Sequence, residues 1–297
     1  MASENPPSVL TGLRARLLQK SPRRRKLARR IVQAWGADAP GGAGDACLLV
    51  ADEALAAAIR NARGEKAAWH AVAVHAENAE MLAAAGFGEV PALEGNRVPV
   101  ETASADVLAV SDVLEYAENP TALMAEFHRV LRPKGRLVLH VRRRRFSLVP
   151  LLRRLAGLDD PLRRAVHENG FTPAELFDSL KDGFDVQEET SFGRFFTELA
   201  EIPAELFAGL VPGTCEPASM DPRRLRRALA VYAVFSPFFL IAGLLDAICF
   251  FLPSHHLVLR ARRRMLWAPR VTPRLRDGRS IAEAALGSKI GTAAGQD

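Results

Sequence analysis

Apolar and polar residues run along this chain in blocks, and the block lengths predict the elements. ACLLV (46–50), AVAVH (71–75) and DVLAV (106–110) are short continuous apolar runs, as expected of strands buried on both faces. Helical patterns lie between them. Glu53–Ala62 is alanine-rich, and Glu77–Ala85 stops at Gly86, which can take the left-handed conformation that closes a helix. Glu89–Leu93 predicts a further strand. The best-formed unit is Ser111–Val141. Asn119 suits the N-cap, Pro120 suits the first helical position, and Leu123, Phe127, Val130 and Leu131 share one face. Pro133 stops that helix, Gly135 permits a tight turn, and RLVLHV is the next strand. Thr172, Pro173 and Glu175 form a capping-box pattern before another helix, and FDVQEET predicts a sixth strand. Alternating strands and helices predict an α/β, Rossmann-like, doubly wound and mainly parallel sheet.

The flanks differ from this core. Residues 1–43 form a basic N-terminal arm, in which RARLLQKSPRRRKLARRIVQAW spaces apolar residues at helical intervals among nine Lys or Arg. It reads equally as an amphipathic helix on anionic lipid or nucleic acid and as a solvated helix packed by one stripe. Residues 44–197 are the sheet domain, and 198–266 a helical, hydrophobic, membrane-associating region. Residues 267–297 are a polar tail, disordered over Ile281–Asp297. Ala228–Leu252 is the strongest apolar run, uncharged from Ala228 to Leu245, and would extend about 37 Å as one helix. Pro237 should break it, and Asp246 is costly at membrane depth without a partner. Arg223, Arg224, Arg226 and Arg227 precede it, and Arg260 and Arg262–Arg264 follow. Basic flanks on both sides predict a bent or interfacial hairpin entering the cytoplasmic leaflet, with arginines on head-group phosphates.

Charge and chemistry narrow this further. The chain has 297 residues and a net charge of +6, so anionic partners are favoured. Cys47, Cys215 and Cys249 make neither a disulfide framework nor a zinc spacing, which predicts a reducing compartment. The N-terminus lacks a signal-peptide apolar core, so secretion is not expected. The seven histidines show no metal spacing, and neither a G-x-S-x-G turn nor a P-loop occurs. Nucleic-acid binding through the arginine runs is disfavoured, since the aromatics of a base-stacking surface are not interleaved with them.

The segment ADVLAVSDVLEYAENPTALMAEFHRVLRPKGRLVLHV resembles the second half of a class I S-adenosylmethionine-dependent methyltransferase domain. The matching positions are Asp106 at the start of a strand, Leu114-Glu115-Tyr116, Asn119-Pro120, and Glu126, Arg129, Val130, Leu131, Pro133 and Gly135. ENGFTPAELFDSLKDGFDVQEE is similar to that family's C-terminal helix and following strand. The resemblance covers roughly Asp45 to Phe196. It implies S-adenosylmethionine as cofactor, near Ser111 and Asp112 at the cleft mouth.

The chain departs from the family at three places. The first strand leads into VADEA, where the family has a glycine-rich loop that lets backbone approach the cofactor's amino-acid end. Carboxylates there, Asp52 among them, would repel the cofactor's carboxylate. His75 follows the second strand where an acidic residue normally bonds the ribose, and Glu77 is the acid available nearby. Lys134 replaces another common glycine. The candidate cofactor residues are therefore Asp52, Glu77, Ser111 and Asp112. Two functional readings result. One is a membrane-associated methyltransferase with a lipid-linked or membrane-proximal acceptor, and the alternative is a catalytically inactive methyltransferase-fold interaction module at the membrane.

Overall fold

The structure, a computed structural model, describes residues 7–36, 44–64, 66–144, 148–158, 165–167, 169–209, 221–249, 251–252 and 254–268. Cys215 and the tail beyond 268, with the disorder expected there, lie outside the described residues. Helices α1 (Pro7–Lys20) and α2 (Pro22–Trp35) precede β1 (Ala46–Val50), α3 (Glu53–Arg63) and β2 (Ala68–Val72). A 3-10 turn (Ala76–Asn78), the short α4 (Ala79–Leu82) and a π turn follow, then β3 (Ala105–Ser111), α5 (Pro120–Val130) and β4 (Leu131–Arg142). The remaining elements are α6 (Val149–Leu155), α7 (Pro173–Leu180), β5 (Phe184–Phe192), α8 (Phe195–Ala208), α9 (Pro222–Val234), α10 (Ser236–Ile248) and β6 (His256–Arg263).

Among the described residues the six strands form one sheet in the order β2-β1-β3-β4-β6-β5. The first four are parallel, and β6 runs antiparallel to both β4 and β5. Apolar side chains pack on both faces. Leu108, Val110, Leu137 and Leu139 meet α5 and α7 on one side, while Cys47, Leu49, Ala109 and Val138 meet α2 and α3 on the other. The expected local signals hold. Asn119 caps α5, and Thr172 with Glu175 closes a capping box on α7. Glu126 binds Arg129, whose guanidinium also reaches the carbonyls of Val98 and Val100 and so ties α5 to the loop before β3.

Four expectations change. The strand expected at Glu89–Leu93 is reduced to one bridge, Ala73 to Ala92, because the loop there pairs too briefly to continue the sheet. The second strand begins three residues earlier than its apolar run, at Ala68. The N-terminal arm is a packed element: Leu13, Leu17, Leu18, Leu27, Ile31 and Trp35 are all buried, as is Arg24. The residues from 198 to 266 are not all helical. His256–Arg263 is a full strand inserted between β4 and β5, so Arg260 and Arg262 belong to the sheet and not to a lipid-facing flank.

The apolar run from Ala228 forms two helices bent by 57°. The break falls at Phe235, with Pro237 in the first turn of α10, where its missing N–H is tolerated. No single described helix is long and apolar enough to cross a membrane. Asp246 has found its partners in the protein: its carboxylate accepts from the backbone N–H of Phe196 (3.0 Å) and Thr197 (3.2 Å) and from the Thr197 hydroxyl. It thus caps the N-terminus of α8 from a different helix, where a negative charge also suits the dipole. Asp246→Ala should lower the unfolding free energy by about 2–3 kcal/mol in urea titrations, since it strands two buried donors.

Candidate functional site

The parallel strands β1, β3 and β4 end side by side, and antiparallel β6 begins there, so Val50, Ser111, His140 and His256 converge at one edge of the sheet. Ligands of doubly wound sheets bind beyond this edge. α1, α8, α9 and α10 form a layer with a shared apolar cluster of Leu10, Leu13, Leu17, Ala204, Leu225 and Tyr232. Met81 of α4, which follows β2, joins that cluster.

Asp52 ends the turn after β1. Its Oδ1 accepts from the Leu55 N–H (3.1 Å) and caps α3, while its Oδ2 forms an ion pair with Arg24 of α2. Glu53 pairs with Arg14 of α1. Burial pushes the Glu53 carboxyl up, and Arg14 opposes it. For Arg24, burial disfavours the charge, yet Asp52 and then Asp112 outweigh it and hold the guanidinium above its ordinary pKa. The glycine-free turn is therefore not the bare carboxylate site that its sequence implies. An arginine from the arm, 28 residues earlier in the chain, sets a cation against it.

Glu77 lies in the 3-10 turn after β2, and its side chain is outside the described residues. His75 packs edge-on against Tyr116 at 5.1 Å. Asn78 is buried, and its amide nitrogen has no partner among the described residues.

Ser111 and Asp112 do come together, and they bring in groups that sequence reasoning missed. Asp112 sits at φ 55°, a left-handed conformation that aspartate tolerates better than most residues. The Ser111 hydroxyl lies 3.0 Å from Asp112 Oδ2 and 3.0 Å from His140 Nδ1. His140 Nε2 is 3.1 Å from His256 Nδ1, and His256 Nε2 is 3.5 Å from Glu198 Oε1. His255 Nδ1 is 2.8 Å from the other Glu198 oxygen. These contacts run continuously from Asp112 through Ser111 and two imidazoles to Glu198, with the Ser111 hydroxyl donating to Asp112. Burial pushes His256 well below its ordinary pKa, with the His140 ring adding to the effect, so His256 is neutral at neutral pH. Burial acts to raise Asp112, but 37% of its side chain is exposed, and His140, Arg24 and His256 hold it below the usual carboxylate range.

Glu115 is the second group that was missed. It is fully buried, and its Oε1 accepts from the Arg142 N–H at the end of β4 (2.6 Å). Its Oε2 has no partner among the described residues. Burial, with Asp112 nearby, raises its pKa to about 7. Asp112 and Glu115 thus present one ionised and one near-neutral carboxyl at the same strand end. Divergent pairs of this kind mark acid and base positions. The sequence contained one signal for Glu115, its place in the Leu-Glu-Tyr motif. His140 and His256 carried none, because they are 116 residues apart and meet only through β6.

A family model described as "Methyltransferase domain" matches residues 56–139, and this bears out the resemblance read from Asp106–Val141. No curated protein matches the chain. Among solved structures, the chain is similar to a putative sarcosine dimethylglycine methyltransferase from Galdieria sulphuraria (10% identity, TM-score 0.49, 80% of this chain and 86% of that one). It is also similar to the [4+2]-cyclase SpnF (18% identity, TM-score 0.48, 80% of each chain). A third likeness is to geranyl diphosphate C-methyltransferase from Streptomyces coelicolor A3(2) (12% identity, TM-score 0.47, 81% and 78%).

The residues at the strand ends suit the cofactor that such a domain implies. Its amino-acid end is zwitterionic, and Arg24 stands there with Asp52 and Asp112. The unpartnered Asn78 amide and Glu115 oxygen add a buried donor and a buried carboxyl.

Glu115 has a pH signature. Its folded-state pKa of about 7 exceeds its ordinary 4.5, so the folded state holds the proton more tightly than the unfolded chain. The resulting penalty is absent below pH 4.5, grows as pH rises to about 7, and is complete above that. Glu115→Gln keeps the acceptor for Arg142 and cannot ionise. Denaturant titrations should find it equal to the parent near the lower limit and more stable on the alkaline side by roughly 1–3 kcal/mol.

Proposed function

We propose that the methyltransferase domain matched over residues 56–139 serves an S-adenosylmethionine-dependent methyltransferase seated on an anionic membrane surface, with a lipid-linked or membrane-proximal acceptor. The observation that supports catalysis best is the Arg24 guanidinium paired with Asp52 and within electrostatic reach of Asp112 at the strand ends. In this reading Arg24 receives the cofactor's carboxylate, Asp52 and Asp112 its ammonium, and Asn78 offers a donor to the nucleoside. The cofactor supplies an electrophilic methyl group. Asp112 stays ionised beside the acceptor position, and the histidines behind it hold it in place through Ser111 and His140. Isothermal titration of the full chain tests this. S-adenosylmethionine should bind, and Arg24→Gln should weaken it at least about tenfold, the value of one charge-assisted contact. Methylthioadenosine, which lacks the amino-acid end, should bind both forms alike. No heat at millimolar cofactor would overturn the assignment.

Membrane attachment rests on α10. Phe239, Ala242 and Asp246 face inward, while Phe238, Leu240, Ile241, Leu244 and Ile248 are 58–69% exposed. Phe251 beyond it is 74% exposed. A contiguous apolar face of this size marks a docking surface. The occupant we infer is a bilayer interface, because Arg223, Arg224, Arg226 and Arg227 lie at the start of the adjoining α9 and match anionic head groups. Each helix has 13 residues, about 20 Å, which is short of a hydrocarbon core. The helix therefore lies in the interface, on the cytoplasmic leaflet where anionic lipids concentrate. Flotation with phosphatidylcholine vesicles should recover the protein only when phosphatidylglycerol is included. Ile241→Asp with Leu244→Asp should abolish recovery without changing the circular dichroism spectrum, and recovery unchanged by that pair would refute the attachment.

A further inference from the structure

The amino-terminal end of the sheet, opposite the strand ends described above, has a recess of about 480 Å³. Lys134, Arg136, Gln187, Arg260 and Arg262 line it, with Asp106. Four features of this recess point to an anion.

The first is register. In the antiparallel pairing of β4 with β6, Arg136 stands directly opposite Arg262, and Val138 opposite Arg260. Directly opposed residues share a face, as do residues two apart, so three guanidinium side chains leave one face of two adjacent strands. Like charges directly across a ladder destabilise it unless something between them carries the opposite charge.

The second is the charge balance. Asp106 accepts from the Ala46 N–H (2.9 Å) and pairs with Arg132 (2.6 Å). Glu188 pairs with Arg260 (3.2 Å), and Asp185 lies across from Arg262. Arg136 donates to the Trp35 carbonyl at the end of α2. The lining thus carries four cationic side chains, those of Lys134, Arg136, Arg260 and Arg262, and the carboxylate of Asp106, which Arg132 also engages.

The third is Lys134. Its φ of 65° is left-handed, a conformation natural to glycine and strained for lysine. The turn gains nothing from a side chain there, whereas the recess gains an ammonium. The fourth is the irregularity in β5 between Val186 and Glu188, which takes Gln187 out of the ladder at the recess. Bulges re-aim side chains in this way next to sites.

We propose that this recess binds a small molecule bearing a diphosphate group. Arg136, Arg260 and Arg262 supply planar forks that match phosphate oxygens, Lys134 a point charge, and Gln187 a neutral donor. The volume leaves room for an organic substituent. The site is independent of the cofactor reading, since it lies at the other end of β3, β4 and β6.

Pyrophosphate is the probe, titrated calorimetrically into the full chain at fixed ionic strength. Saturable binding is expected, weakened at least about tenfold by Arg262→Gln and by Lys134→Gly. Lys134→Gly should at the same time raise the thermal midpoint, because it relieves the backbone, so weaker binding in that variant cannot come from a damaged fold. Arg16→Gln with Lys20→Gln, exposed on α1, should leave pyrophosphate affinity unchanged. Three results would overturn the proposal: no saturable heat at millimolar pyrophosphate, an equal loss in the α1 variant, or displacement by sulfate at matched ionic strength. Tighter binding of single-stranded DNA than of pyrophosphate, lost in the same recess variants, would assign these arginines to nucleic acid instead.

Discussion

The first turn of α2 ties together parts of the chain that are otherwise remote. The Ser21 hydroxyl and the Arg23 N–H both donate to Glu201 Oε1 of α8, at 2.7 Å and 3.2 Å. A carboxylate is thereby seated on the positive end of a helix. One residue on, Arg24 crosses to Asp52 after β1. Arg23 and Arg153 approach Glu205, whose pKa burial still raises to about 7. These groups are almost wholly out of water, so each is tolerable only with its partner, and deleting one leaves a charge stranded. The cap, the arm and the sheet consequently stand or fall together.

That junction also explains why a glycine-free loop is compatible with this fold. Glycines after the first strand serve a close approach between backbone and ligand. Here the turn is filled by Ala51 and the capping carboxylate of Asp52, and the arm supplies an arginine instead of bare backbone donors. In the function proposed above, binding by side-chain charge replaces binding by backbone, at the same end of the same strand.

β6 gives the sheet its two chemical poles. It enters antiparallel, with histidines at its start and arginines at its end. His255 and His256 therefore reach Glu198 and His140 at one edge, while Arg260 and Arg262 reach Arg136 at the other. α10, just before β6, reverses the usual amphipathic arrangement. Its buried side holds a carboxylate that caps another helix, and its exposed side is apolar. An exposed apolar face of this size marks an interaction surface.

Local signals determined what depends on neighbours in sequence. The caps at Asn119 and Thr172, the break near Pro237 and the apolar strands followed from residue type and spacing, since their partners lie within one turn. The methyltransferase motif was legible for the same reason, being confined to one contiguous unit. Tertiary structure decided the rest. HLVLRARR has no periodicity that marks it as a sheet strand, and its role is fixed by pairing with β4 and β5, more than 60 residues away. The arm's stripe was equally consistent with lipid until the sheet face, rather than a membrane, buried Ile31 and Trp35. Asp246, Arg24 and His140 likewise read as liabilities or surface groups in one dimension. Each acquires its meaning from a partner that only the folded chain brings within hydrogen-bond reach.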